Sequence, residues 1–207
     1  MTALTGDDMK LYKLTDAKGQ TYNETQWGPG VEHTASGKGA LCTAGWLHAY
    51  VDPLLAVFLD PAHGNFVPYR QAAQLWEAEG DVRLDDVGLK VGCTRLMTVR
   101  TIPLPAVTDE QRIAFAIRCA LKVFHGLAWV VWAEGWLSGE DCSAGSASVA
   151  WEHANADRSI DAARAGLYAA WSVVYSPHVC DHSANAAVHA AHVKPLDLIS
   201  IAKGAMK

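Results

Sequence analysis

The segment Gly45-Trp46-Leu47-His48-Ala49-Tyr50 has the clearest chemical reach in the chain. Read as a strand, it places Trp46, His48 and Tyr50 on one face, because successive side chains alternate. An imidazole beside a phenol and an indole suits nucleotide binding or proton movement near neutral pH. The same residues also describe a histidine hydrogen-bonded inside a small aromatic core, and for catalysis that structural reading is the preferred one. Arg95, on a later strand-like run, is the cation expected to join Trp46, His48 and Tyr50 in a pocket for a small anion. Arg95 and Arg100 also fit the description of surface charges. Cys42, close before Gly45, pairs a thiol with His48 and raises nucleophilic chemistry, although an isolated cysteine is more often a small buried hydrophobe.

Four further groups could do chemistry. Glu77 and Glu79 are two residues apart, so on a strand both carboxylates share a face, where one can hold a ribose or raise the other's pKa. A solvated strand face explains them as well. His178, Cys180 and His182 offer imidazole and thiolate, the donors zinc prefers. A structural zinc site uses two such groups, and here there is one, expected in a loop after Pro177, with Cys142 or His153 as remote additions. A chance cluster is the preferred reading, and no metal is assigned. His189 and His192 could share a helix face, with no stronger standing. The tryptophans at 129, 132, 136, 151 and 171 could stack on bases, but at helical spacing they are what helix packing requires.

These residues need elements to hold them. KLYKLT at 10–15 and LWEAEGDV at 75–82 alternate as strands, and Leu89 to Ile102 reads as a longer one. Gly19 supplies a turn, and Arg83 to Gly88 another. Trp27 to Lys38, with three glycines and a proline, reads as a long loop, and the glycines around it, 28, 30, 37 and 39, match no phosphate-binding fingerprint. Such a loop could be a mobile flap over a ligand. Asp52 and Pro53 open a short helix, which Pro61 is expected to end. Residues 62–74 read as irregular. Pro103 and Pro105 mark a boundary. Beyond it, Thr108 and Gln111 form a capping box, followed by apolar residues at helical spacing up to a stop at Gly126. Two or three helices are expected between 143 and 176, broken by Pro177, then two more at 183–193 and 195–206. The expectation is an α+β chain: a small mixed β-sheet domain over 1–105, then an alanine- and tryptophan-rich helical region over 106–207, packed on it or mediating self-association.

Composition narrows the functional classes. Of 207 residues, half are apolar and eight are tryptophan, enough for a packed core rather than disorder. A net charge of −5 argues against duplex nucleic acid, unless Lys10, Lys13, Arg95 and Arg100 cluster. The N-terminal residues do not read as a secretory signal, and no apolar run is long enough to span a bilayer. Five widely spaced cysteines fit a reducing, cytoplasmic setting. No cofactor is expected.

The series LYKLT, Leu41-Cys42-x-x-Gly45-Trp46-x-His48, Asp52-Pro53-Leu54, LWEAEG and KVGCTRL resembles an uncharacterised group of short domains frequent in bacteriophage genomes and prophages. The pattern of that group is a Cys, a Gly-aromatic-His strand, a Pro-Leu helix start and an E-x-x-G strand. The resemblance covers residues 10–125 and implies a phage accessory protein in a bacterial host, without implying a reaction. It favours a role for His48 over the other histidines. The order of the early strands and the glutamates also resembles ADP-ribosyltransferases, with Glu77 or Glu79 as the catalytic acid and His48 or Tyr50 near the nicotinamide. However, the first strand lacks the expected His or Arg, and no Ser-Thr-Ser is present.

Three functions follow as expectations. The first is a phage accessory or anti-defence protein that binds a host protein or a small nucleotide signal without chemistry. The second is an ADP-ribosyltransferase-like enzyme, which requires a glutamate across one cleft from the His48 strand. The third is a phage structural or assembly component. Self-association is expected in any case, because tryptophan-rich helices need burial.

Overall fold

The computed structural model describes residues 10–64, 73–156, 160–175 and 178–207. The chain divides into two compact units, one of residues 1–60 and 64–105, the other of residues 61–63 and 106–207. The architecture is α+β: a β-sheet region followed by a largely helical one.

The first unit is built from β1 (Leu11–Thr15), β2 (Gln20–Thr21), β3 (Thr25–Gln26), β4 (Val31–Thr34), β5 (Leu47–Ala49), α1 (Pro53–Gly64), β6 (Gln74–Asp85) and β7 (Val91–Ile102). All the pairings are antiparallel: β1 with β6, β6 with β7, and β7 with both β4 and β5. Tyr12 and Tyr50 then exchange backbone hydrogen bonds of 2.8 and 2.9 Å, so β5 also meets β1. The strands β1, β6, β7 and β5 thereby close into a ring. Leu11, Trp27, Ala49, Ala78, Val91, Cys93 and Leu96 fill it. Closure bends the long β6–β7 hairpin, and its ladder shifts register at three places, between Glu77 and Ala78, Gly80 and Val82, and Val82 and Leu84. Bulges of this kind bend a strand and increase its twist. The hairpin tip is tight. Val87 and Gly88 both have positive φ, and the Leu89 amide donates to the Asp86 carbonyl at 2.8 Å. This is the turn geometry that matches strand twist.

The strand expected at 10–15, the turn at Gly19 and the long strand ending at Ile102 are present. Several details differ. The stretch from Trp27 to Lys38 is not all loop, because β4 lies inside it and pairs with β7. Its residues Val31–Thr34 alternate partly buried with exposed, a pattern that flanking glycines obscure in the sequence. β6 runs on to Asp85, which shortens the expected polar turn. Asp52 caps α1 as expected, accepting from the Leu54 amide at 2.8 Å. The helix nevertheless continues through Pro61 to Gly64. Proline's φ is helical, and its missing donor removes one ladder bond, which a helix near its end can survive. The expected irregular stretch at 62–74 falls mainly outside the described residues, as do Pro177 and the first nine residues.

The second unit contains α2 (Asp109–Ala120), α3 (Leu127–Ser138), α4 (Ala144–Asn155), α5 (Asp161–Val174), α6 (Val179–Val193) and α7 (Leu198–Ala205). Thr108 and Gln111 form the expected capping box in full. α2 ends at Ala120, with Leu121 as its C-cap, instead of running to Gly126. Its last carbonyls are taken by a turn, with the Phe124 amide on the Ala120 carbonyl at 2.8 Å. Gly126 instead starts α3, its carbonyl accepting from Val130. α5 packs against α2, α4 and α6. Its buried face is made mainly of small residues, Ala163, Ala165, Gly166, Ala169 and Ala170, and small faces let helix axes approach closely. The gap that remains at Gly166 is filled by the Phe124 ring, which leaves no room for a Cβ there. The Trp129 indole donates to the Gly166 carbonyl at 3.0 Å. Among the described residues, no helix is long and apolar enough to cross a membrane.

Candidate functional site

Alternation along β5 decides which way its side chains point. Leu47 and Ala49 join the cluster inside the ring, so His48 faces outward. That outward face is covered by the loop joining β4 to β5. The loop is pinned at both ends: the Ala35 amide donates to the Thr94 carbonyl at 2.9 Å, and the Gly37 amide to the Gly45 carbonyl at 2.9 Å. The Trp46 indole donates to the Gly39 carbonyl at 3.0 Å. His48 Nε2 makes a short hydrogen bond to the Leu41 carbonyl. A carbonyl only accepts, so Nε2 carries the proton. Gly92 lies opposite His48 in the ladder, and the Leu41 side chain and the Trp46 ring occupy the space its missing side chain would fill. The β4–β5 loop is therefore seated on the Trp46–His48 face.

A second fastening comes from Lys90, at the foot of β7. Its side chain is almost fully buried, at 3% exposure, yet its ammonium lies 3.3 Å from the Cys42 sulfur and 3.3 Å from an Asp86 carboxylate oxygen. Cys42 itself is exposed. On the other side of β5, Lys13 donates to the His48 carbonyl at 2.8 Å and lies 5.2 Å from the centre of the Trp27 ring. Burial pushes the His48 pKa below the ordinary histidine value. The bond to Leu41 opposes that shift, while Lys13 and Lys90 reinforce it and Asp86 opposes it. His48 therefore favours its neutral form within a cationic surround.

The remaining expected site residues lie apart from this assembly. Tyr50 is buried, and its backbone closes the ring. Arg95 bridges Glu32 at 3.2 Å and Asp81 at 3.1 Å across the sheet, and its hydrogen bonds to both raise its pKa. Glu77 is held by Arg100 at 2.7 Å and faces Lys10 at 3.8 Å. The Arg100 hydrogen bond holds its carboxyl below the usual range. Glu79 is exposed, opposite Met97. Among the described residues, no hydrogen bond or ion pair joins either glutamate to His48. The structure brings together Cys42, Trp46 and His48, commits Arg95 and Glu77 to other ion pairs, and leaves Glu79 exposed.

In the helical unit, the His178–Cys180–His182 trio sits at the start of α6 and not in a loop. Cys180 is buried, whereas His178 is largely exposed. Residues two apart on a helix diverge, so the trio does not converge. No group of three or more metal-ligating side chains forms among the described residues. His182 instead joins an aromatic cluster with Tyr168, Trp171 and Tyr175. Burial, assisted by His178, takes its pKa down to about 4. His189 stacks on Tyr168 and bonds Asp161 at 2.9 Å. Trp129 and Trp132 are core residues packed edge to face, and Trp151 stacks on Trp171.

No family model, curated protein or solved structure matches the chain. The site therefore rests on its own geometry. Sequence reading missed Leu41, Asp86 and Lys90. Two signals were available: a lysine leading an apolar strand run, Leu89-Lys90-Val91, and Gly92 within that run, since a strand glycine marks close approach of another segment.

Proposed function

We propose that this chain is a binding protein without chemistry of its own, and that it takes a small nucleotide-class anion at the loop-covered face of β5. The observation that carries this reading is the seating of the loop on Trp46, His48 and Lys90. Lifting the loop would free an indole edge, an imidazole N–H and a buried ammonium together. Those groups suit a flat base and a phosphate. The commitment of Glu77 to Arg100, and of His48 to a backbone carbonyl, favours binding over the transferase alternative. The resemblance to phage accessory domains supports the same reading and extends it to an anti-defence role in a bacterial cytoplasm, where the ligand would be a sequestered signal.

Hydrogen exchange tests this reading. Adding ADP-ribose, NAD or a cyclic dinucleotide is expected to change exchange at residues 37–45 and around Lys90. Unchanged exchange throughout with every ligand would argue against a small-molecule site and return a host protein to the front.

A further inference from the structure

We propose that Cys42 is a peroxide-reactive thiol, and that the buried Lys90 ammonium receives its oxidised form, so that the loop over β5 carries an oxidative modification site. This holds whether or not the loop admits a ligand. Reactive cysteines sit in exposed, electropositive surroundings. Cys42 combines exposure with a lysine nitrogen 3.3 Å from its sulfur. That nitrogen is fixed. Lys90 is 4% exposed, Asp86 holds its ammonium at 3.3 Å, and the Asp86 amide donates to the Lys90 carbonyl at 2.9 Å.

The chemistry is the first step of thiol oxidation. The Cys42 sulfur attacks one oxygen of hydrogen peroxide. An S–O bond forms as the O–O bond breaks, and the second oxygen leaves as water with the thiol proton. Sulfur is oxidised by two electrons to the sulfenic acid, and the peroxide is reduced. Lys90 acts as a positioning residue, donating an N–H to the new oxygen.

The chain contains its own control. Cys142 is also exposed, but its partner is the Trp136 carbonyl at 3.6 Å, with no cation on its sulfur among the described residues. The other three cysteines are buried, and burial pushes the Cys93 thiol up to about 12.

The test treats the full chain with limiting hydrogen peroxide in the presence of dimedone, which traps sulfenic acid, and maps the adducts by peptide mass spectrometry. Labelling at Cys42 is expected to be about tenfold faster than at Cys142. Lys90→Gln should bring Cys42 down to the Cys142 rate, and Lys90→Arg should keep it fast. Equal rates at Cys42 and Cys142 in the unaltered protein would overturn the proposal. So would an unchanged Cys42 rate in a folded Lys90→Gln variant. If that variant does not fold, the ratio in the unaltered protein decides alone.

Discussion

At the scale of single residues, His48 is a fastener. Its ring N–H meets the Leu41 carbonyl, and its position on β5 faces it toward the loop, away from the ring interior. Removing the ring should cost the loop one partly buried hydrogen bond, worth about 1 kcal/mol, while leaving the strand ring intact. His48→Ala is therefore expected to accelerate tryptic cleavage after Lys38 with little change in the circular dichroism spectrum. Cleavage at the original rate would show that the loop is held without His48. That His48 shares a face with Trp46 was legible in the sequence, because alternation along a strand fixes it. That this face turns away from the ring interior was not, since the same residues read more readily as a histidine inside a small core. The partner of His48 was not legible either, since a backbone carbonyl seven residues away in a glycine-rich loop leaves no side-chain signature. Arg95 and Glu77 show the converse. Their charges invite a site, yet cross-strand register gives each an opposite charge, a relation that appears only when the strands are paired.

At the scale of elements, local rules read well where they concern a helix end or a turn. The capping box at Thr108 is present in both directions, with hydrogen bonds of 2.9 and 3.2 Å. Thr108→Ala is expected to lower stability by about 1 kcal/mol, measurable as a shift in the urea midpoint at unchanged m-value. No shift would mean that tertiary packing, not the cap, sets that helix end. Rules that depend on partners read poorly. β4 is a short strand whose existence rests on β7, and closure of the ring rests on one bridge between Tyr12 and Tyr50. The histidines near residue 180 look like a loop-borne half-site in sequence, but a helix sends Cys180 inward and leaves His182 among aromatic rings.

At the scale of the whole molecule, two expectations can be tested. The first is acid sensitivity. Burial lowers the pKa of both His48 and His182, the latter from 6.5 to about 4. Between those values the unfolded chain binds more protons than the folded one, so stability rises with pH there. The contribution is complete above about 6.5 and is lost as pH falls through about 4. Calorimetry should show Tm declining across that window, with a shallower decline in His182→Phe. A flat profile would contradict it. The second is a proposal, self-association through α3. Leu127 and Val131, one helical turn apart on α3, are 81% and 62% exposed, which favours burial against another copy. Leu127→Glu with Val131→Glu is expected to shift the chain to monomer in sedimentation velocity, and an unchanged profile would remove α3 as the contact.

The central claim is that the chain binds a small nucleotide-class anion without transforming it. Native mass spectrometry of the purified protein with NAD, ADP-ribose and cyclic dinucleotides tests this most directly. The account expects a non-covalent complex whose ligand dissociates with unchanged mass. Free nicotinamide with ADP-ribose transferred to the protein or a target would contradict it and establish transferase chemistry.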